Sequence, residues 1–136
     1  MLVVDTGVLV AAVARRERHH LQCVGLLANA SPPLVVPMLV VTEAAHFMTE
    51  RLGGHVERAF ASSIADGELV PEPVEPADWD RIAELLEQSQ DLGLGIVDAS
   101  VVAACERLGV TTLATLDRRH FGVVRPKHCD ALELVP

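Results

Sequence analysis

Four short apolar segments of this chain each end at a carboxylate, and this pattern limits the folds that the chain can adopt. Such segments are buried on folding, and a carboxylate buried with them is costly unless its charge is compensated. The segments and their acids are Leu2–Val4 with Asp5, Leu39–Thr42 with Glu43, Leu94–Val97 with Asp98, and Leu113–Leu116 with Asp117. Four acids in one local context predict a shared site, where like charges repel unless cations are bound. Mg²⁺ or Mn²⁺, which prefer oxygen ligands, meet that need.

The order of the remaining apolar segments predicts an α/β fold. Short segments rich in Val and Leu have the character of strands, and they lie at Leu2–Val4, Leu34–Val36, Leu69–Val70, Thr111–Ala114 and Leu132–Val135. Between them, apolar residues recur at helical spacing. We therefore expect a short, largely parallel central sheet of four to five strands flanked by helices.

Two helices are predicted in more detail because their first turns are distinctive. Pro37 fits the first turn of a helix that ends near Leu52. Asp78 is expected to cap a later helix. The residues expected on the apolar face of that later helix are Trp79, Ile82, Leu85 and Leu86.

The positions of the four acids in this fold favour a common site. Ligands of open α/β sheets bind outside the carboxyl ends of the strands, and Asp5 and Asp117 follow two predicted strands. Asp98 and Glu43 are expected in the opening turns of helices, with Glu43 somewhat deeper, where the positive end of the helix dipole tolerates negative charge.

Length and composition restrict the class of protein. The 136 residues are expected to form a single domain, 1–136. No apolar segment approaches the roughly 18 residues of a membrane span, and the N-terminus lacks the features of a signal peptide. Three cysteines form neither an even framework nor a zinc pattern, so we expect reduced thiols in a cytoplasmic protein.

The net charge of −8 argues at first against a nucleic-acid ligand. Part of this charge belongs to the predicted acidic site, where bound metal would neutralise it. Basic residues are clustered at 15–18 and 118–127, and ten of the eleven are arginines, which bind phosphate well. The charge balance is therefore compatible with RNA without indicating it.

Three parts of the sequence resemble the PIN-domain family. They are Val3–Leu9, the central Thr42-Glu43, and Leu92–Phe121, which includes Asp98-Ala99 and the ordered residues Thr115-x-Asp117-Arg118-Arg119-x-Phe121. More narrowly, the chain resembles the VapC-type toxins of bacterial toxin–antitoxin pairs, which are single PIN domains of about this size. Gly7 is a mild departure, since family members often have Ser at this position.

The resemblance implies a metal-dependent endoribonuclease that uses Mg²⁺ or Mn²⁺. The acids that match the family's catalytic and metal-binding positions are Asp5, Glu43, Asp98 and Asp117, and the matching hydroxyls are Thr6 and Thr115. It also implies an RNA substrate, a small VapB-type antitoxin as partner, and a homodimer.

The residues themselves leave several roles open. Asp5 and Asp98 are expected as core ligands and Asp117 as a further one, while Glu43 is either an outer ligand or the group that orients water. Each aspartate could instead cap a helix, and Glu43 could pair with a helix neighbour. Thr115 could be satisfied by the backbone of a strand.

Two arginines beside the last acid are further candidates. Arg118 and Arg119 flank Asp117 and could hold a substrate phosphate. A surface pair or a dimer contact explains them nearly as well. The sequence does not separate these readings.

Other functions fit the sequence less well. A receiver domain would have an acidic pair after the first strand and a lysine after the last, but Asp5 stands alone and the only lysine is Lys127. A haloacid-dehalogenase-type phosphatase needs Asp-x-Asp, and Gly7 occupies the second position. The alternatives within the same fold are an RNA-processing nuclease outside a toxin–antitoxin pair and a non-catalytic binding module.

Overall fold

The centre of the molecule is a five-stranded sheet in which all strands are parallel. The structure is a computed structural model that describes residues 1–136. The strands are β1 (Leu2–Val4), β2 (Leu34–Pro37), β3 (Leu69–Glu72), β4 (Thr112–Ala114) and β5 (Glu133–Val135). The helices are α1 (Thr6–Val13), α2 (His20–Asn29), α3 (Met38–Leu52), α4 (Gly54–Ala65), α5 (Pro76–Gln88), α6 (Ile96–Leu108) and α7 (Arg118–Phe121), with a 3₁₀ turn at Gln90–Leu92. The predicted α/β fold is confirmed.

The strand order places a topological switch point in the middle of the sheet. The order is β3-β2-β1-β4-β5, so the chain builds outward from β1 in one direction and then returns to its other side with β4. Val3 pairs in register with Val35 of β2 and with Leu113 of β4. The carboxyl ends of β1 and β4 therefore border the crevice in which such sheets bind ligands.

The core consists of small aliphatic side chains with few aromatic ones. Val3 and Val4 are fully buried in β1, as the central strand of a sheet covered by helices requires. Helix α3 packs against α1, α4 and α6, and α5 packs against α6. Phe121 of α7 is among the largest fully buried side chains, so the short helix after Asp117 is anchored in the core.

The buried face of α5 differs from the predicted one. Trp79 was expected on the apolar face but is 45% exposed, whereas Asp78, one residue earlier, is buried. Asp78 was also expected as the cap, but α5 begins at Pro76 after the cap residue Glu75, whose N–H donates to the Asp78 carboxylate at 2.9 Å. The buried face contains Asp78, Ile82 and Leu85, and Trp79 lies about 100° of helix rotation away from Asp78.

An ion-pair network explains why Asp78 is buried. Arg107 of α6 donates from Nε to both carboxylate oxygens of Asp78 at 3.1 Å and from Nη1 to Glu72 at 2.7 Å. Arg81 of α5 binds Glu106 of α6 in a bidentate pair. These bonds fix the face of α5 that packs against α6, and the Trp79 indole is left exposed to solvent.

No helix of the structure has both the length and the apolar character needed to cross a membrane.

Arg107→Ala is expected to destabilise the fold by about 1–3 kcal/mol, because it leaves the Asp78 carboxylate buried without its cation. Arg58→Ala is the matched control, since Arg58 is exposed and makes no ion pair. Urea denaturation of both variants measures the free energy of unfolding. Equal losses in the two variants would contradict a stabilising role for the network.

Candidate active site

Asp5 lies at the carboxyl end of β1 and is held by a residue that follows β4. The Thr115 hydroxyl donates to Asp5 Oδ2 at 2.8 Å and accepts the Asp117 N–H at 3.0 Å. Both Asp5 and Thr115 are buried. Asp5 occupies the cap position of α1, but its carboxylate makes no capping hydrogen bond. Its side chain is thus available to a ligand.

The surroundings of the Asp5 carboxyl disfavour its ionised form. The pKa of Asp5 is raised to about 6, mainly by burial and to a smaller extent by the neighbouring Asp98 and Glu43 carboxylates, against the hydrogen bonds from Thr115 and the Thr6 backbone. No cationic side chain lies within ion-pair distance of Asp5, Glu43 or Asp98. A raised pKa in a buried acid indicates that its ionised form lacks a counterion.

Asp98 and Glu43 reach the site from the first turn of α6 and the second turn of α3. Asp98 is in the opening turn of α6, and its Oδ2 accepts the Gly95 N–H at 3.3 Å. Burial raises the pKa of Asp98, with Asp117 adding to the effect. Glu43 lies in the second turn of α3, half-buried. The cap residue of α6 is Gly95 and not Asp98, but the Asp98 carboxylate accepts the N–H of that cap residue and keeps its other oxygen free.

Asp117 is held in place by His120, one turn later in α7. Asp117 Oδ1 accepts the His120 N–H at 3.0 Å, and Oδ2 accepts from the ring Nδ1 at 2.5 Å. Burial alone would raise the pKa of Asp117, but these hydrogen bonds and the charge of His120 hold it below its usual range. Asp117 therefore does cap α7, as the alternative reading allowed, and each oxygen keeps a second lone pair.

The His120 ring faces acceptors on both sides. Nδ1 contacts Asp117, and Nε2 lies 3.2 Å from the Leu92 carbonyl. Only an imidazolium donates at both nitrogens. The hydrogen bond to Asp117 correspondingly raises the pKa of His120. His120 thus joins the loop before α6 to the last acid.

One groove contains all four acids, and we call it the acidic groove. It has a volume of about 520 Å³. Its lining residues include Asp5, Glu43, Asp98 and Asp117 from the four segments, together with Thr6, Glu17, Phe47 and Arg51. Arg118 and Arg119 are exposed and do not line it, and the Arg118 side chain donates to the Pro136 carbonyl at 2.6 Å.

The donor set fits a hard divalent cation. One ligand atom each from Asp98, Asp117 and His120 lies within 4.8 Å of the others. Because both His120 nitrogens already face acceptors, the ring orients Asp117, and the carboxylates are the groups available to a metal. The Thr6 hydroxyl is buried beside Asp5 and has no hydrogen-bond partner, so an unsatisfied polar oxygen adjoins the acids. Oxygen donors with no resident counterion are what Mg²⁺ and Mn²⁺ bind.

The sequence analysis did not identify His120 as a site residue. In the sequence it ends the basic run Arg118-Arg119-His120 and looks like part of a solvated cluster. The signal was the spacing Asp117-x-x-His120, which brings two side chains together if a helical turn begins at the aspartate.

Without metal, the protein is expected to lose stability as the pH rises through about 6. The pKa of Asp5 is higher in the fold, about 6, than its ordinary value of 3.8, so folding favours the protonated carboxyl. This contribution is complete below the unfolded value and is lost above the folded one. Between about pH 5 and about pH 8, wild type should lose ~1 kcal/mol more than Asp5→Asn.

Urea denaturation in EDTA at the two pH values measures this difference. Identical pH dependence of the two proteins would show that Asp5 does not titrate with a raised pKa.

His120→Ala is expected to lower the affinity for Mn²⁺ by about 10–100-fold, because Asp117 loses the ring that orients it. Isothermal titration calorimetry measures the affinity. His46→Ala is the control, since His46 is an exposed histidine of α3 that does not line the groove. Unchanged affinity in His120→Ala would rule out the positioning role.

Comparison with known proteins agrees with this fold and with the resemblance seen in the sequence. The PIN domain family model matches residues 2–125. Ribonuclease VapC26 of Mycobacterium tuberculosis is 30% identical over 125 residues, which cover 92% of this chain and 93% of the relative.

Solved structures share the fold. VapC20 of Mycobacterium tuberculosis, described as a sarcin-ricin loop cleaving toxin, superposes with a TM-score of 0.84 and 19% identity, over 100% of both chains. VapBC2 of Rickettsia felis, bound to a DNA fragment from its promoter, gives a TM-score of 0.67 and 15% identity over 98% of this chain and 96% of the other. The chain belongs to the PIN-domain family, and its relatives there include VapC-type ribonucleases.

Proposed function

We propose that the chain is a Mg²⁺- or Mn²⁺-dependent endoribonuclease and the toxin of a type II toxin–antitoxin pair. The observation that supports this most directly is the acidic groove, in which four carboxylates meet at the switch point of the sheet and three of them have no counterion. An RNA substrate agrees with the 30% identity to a ribonuclease.

The proposed roles of the residues follow from their contacts. Asp5, Asp98 and Asp117 hold the cation, with Thr115 fixing Asp5 and His120 fixing Asp117. Glu43, the least constrained of the acids, serves as an outer ligand or orients the attacking water. When bound, the cation supplies a more acidic water and neutralises charge on the phosphate and the leaving oxygen.

The phosphate contacts expected of Arg118 and Arg119 remain a prediction. Both arginines are exposed near the last acid, but Arg118 is engaged by the Pro136 carbonyl. Arg119 is the freer of the two, so it is the better candidate for a long RNA that extends beyond the groove.

An antitoxin partner is the second part of the proposal. Solved structures that share this fold include a VapBC complex. A second groove of about 390 Å³ is lined by ten hydrophobic residues out of twelve, among them Val13, Leu27 and Ala59 from α1, α2 and α4. This apolar groove suits an apolar segment of an antitoxin tail, and an arginine of that tail could satisfy the carboxylates. A homodimer is proposed on the resemblance alone.

The decisive experiment is cleavage of total cellular RNA by purified, antitoxin-free protein in Mg²⁺ or Mn²⁺, with EDTA as blank and break sites mapped. Wild type should cut at discrete sites. Asp5→Asn and Asp98→Asn should each lower the rate by about 100-fold or more, because each removes a negative ligand.

Asp91→Asn is the matched control, since this exposed aspartate lies outside the acidic groove. It should cleave as wild type does. An RNA containing the sarcin-ricin loop belongs among the substrates, given what VapC20 cleaves. If metal-loaded wild type cuts none of the RNAs, the nuclease proposal fails and a binding role replaces it.

A further inference from the structure

The acidic groove extends beyond the four acids along helix α3. Glu43, Phe47 and Arg51 are spaced four residues apart, so they lie on one face of the helix, and all three line the groove. The Arg51 guanidinium lies over the Phe47 ring, 4.7 Å from its centroid. The groove therefore has the acids at one end and the Arg51 guanidinium at the other.

Arg51 is the only basic side chain in this groove. Of the eleven lysines and arginines, none other is among its lining residues. Arg51 makes no ion pair within the chain, whereas Arg81, Arg107 and Lys127 are paired with carboxylates elsewhere. Its five N–H donors are thus free for a ligand.

The ring of Phe47 holds this free guanidinium in position. A cation–π contact of this kind is attractive even at an exposed site. It also restricts the long side chain before any ligand arrives, so less entropy is lost on binding. An unpaired arginine that is already positioned matches the needs of a planar, bidentate phosphate contact.

The distance between the two ends of the groove fits a second phosphate of the same strand. Arg51 follows Glu43 by eight residues, which is about 12 Å along the helix axis. A strand whose scissile phosphate lies at the acids must pass other phosphates along the groove. Glu17, also in the lining, would repel them and direct the strand toward the α3 side.

We propose that Arg51, positioned by Phe47, binds a second backbone phosphate of the single-stranded RNA whose scissile phosphate lies at the acids. The inference rests on the proposed function only in taking RNA as the substrate. Its test uses binding, which does not require turnover.

The first experiment is fluorescence polarisation of a short, fluorescein-labelled single-stranded RNA, titrated with protein in Ca²⁺ at several salt concentrations. Ca²⁺ binds oxygen ligands such as these. Arg51→Ala should weaken binding about tenfold, and the slope of log K against log salt should become shallower by about 0.7, the value for one phosphate of a single strand.

Arg58→Ala is the matched control, because Arg58 is an exposed, unpaired arginine outside the groove. It should keep the wild-type slope. Arg51→Lys should recover part of the affinity, and Phe47→Leu should lose part of it, since the charge remains but its support is gone. Thermal unfolding checks that each variant is folded.

A second experiment identifies the phosphate. RNAs with a single neutral methylphosphonate at successive positions are compared in wild type and Arg51→Ala. At one position, the neutral group should weaken binding to wild type and have no further effect on Arg51→Ala. Additive losses at every position would show that Arg51 contacts no particular phosphate and would overturn the inference.

The remaining outcomes separate the two proposals. If Arg51→Ala and Arg58→Ala bind RNA equally, the inference fails, whether or not wild type cleaves. If instead only binding of a labelled acidic peptide is weakened in Arg51→Ala, a carboxylate of a protein partner is the ligand and the inference fails. Arg51-dependent RNA binding without cleavage in Mg²⁺ would support the inference and overturn the nuclease proposal.

Discussion

A hydrogen bond between the two central strands organises the candidate site. Thr115, just after β4, donates to Asp5, just after β1, and also accepts the Asp117 N–H. This one hydroxyl fixes the first acid and the direction of the chain toward the last acid. Because Thr115 is fully buried, water does not compete for these bonds. The placement of Asp5 and Asp117 is thus set at the ends of the strands, and a cation bound as proposed would find these two carboxylates already in place.

Much of the fold was predictable because burial produces simple patterns. Segments such as Leu34–Val36 can be neither exposed nor amphipathic, so they become internal strands of a parallel sheet. Trp79 was misplaced because a hydrophobic pattern treats every charged residue as exposed. Asp78 violates that assumption through its pair with Arg107, a residue 29 positions later that no local pattern relates to it. An ion pair between distant residues can change which face of a helix is buried, and the hydrophobic periodicity of that helix does not reveal it.

The four acids of the acidic groove were singled out from the sequence, but His120 and Arg51 were not. Acids that end apolar segments are conspicuous because burial makes their charge costly. His120 follows two exposed arginines, and Arg51 follows an exposed glutamate, so a solvated surface is the ordinary explanation for both. His120 lies three residues after Asp117, and Arg51 lies eight residues after Glu43. Neither spacing suggests a role until the acid itself has been assigned to the site. Residues of this kind are therefore recognised only after the acids of the site.

The charge of the groove bears on how an acidic protein could bind a polyanion. Five carboxylates and a single arginine line it, so the metal-free groove repels phosphate. A divalent cation bound as proposed would change the sign of the interaction at the acids, and Arg51 would extend the attraction along α3. Metal and RNA would then bind cooperatively, since each reduces the electrostatic cost of the other. On this argument the net charge of −8 reflects the metal-free state, and the potential that matters for RNA is that of the metal-loaded groove.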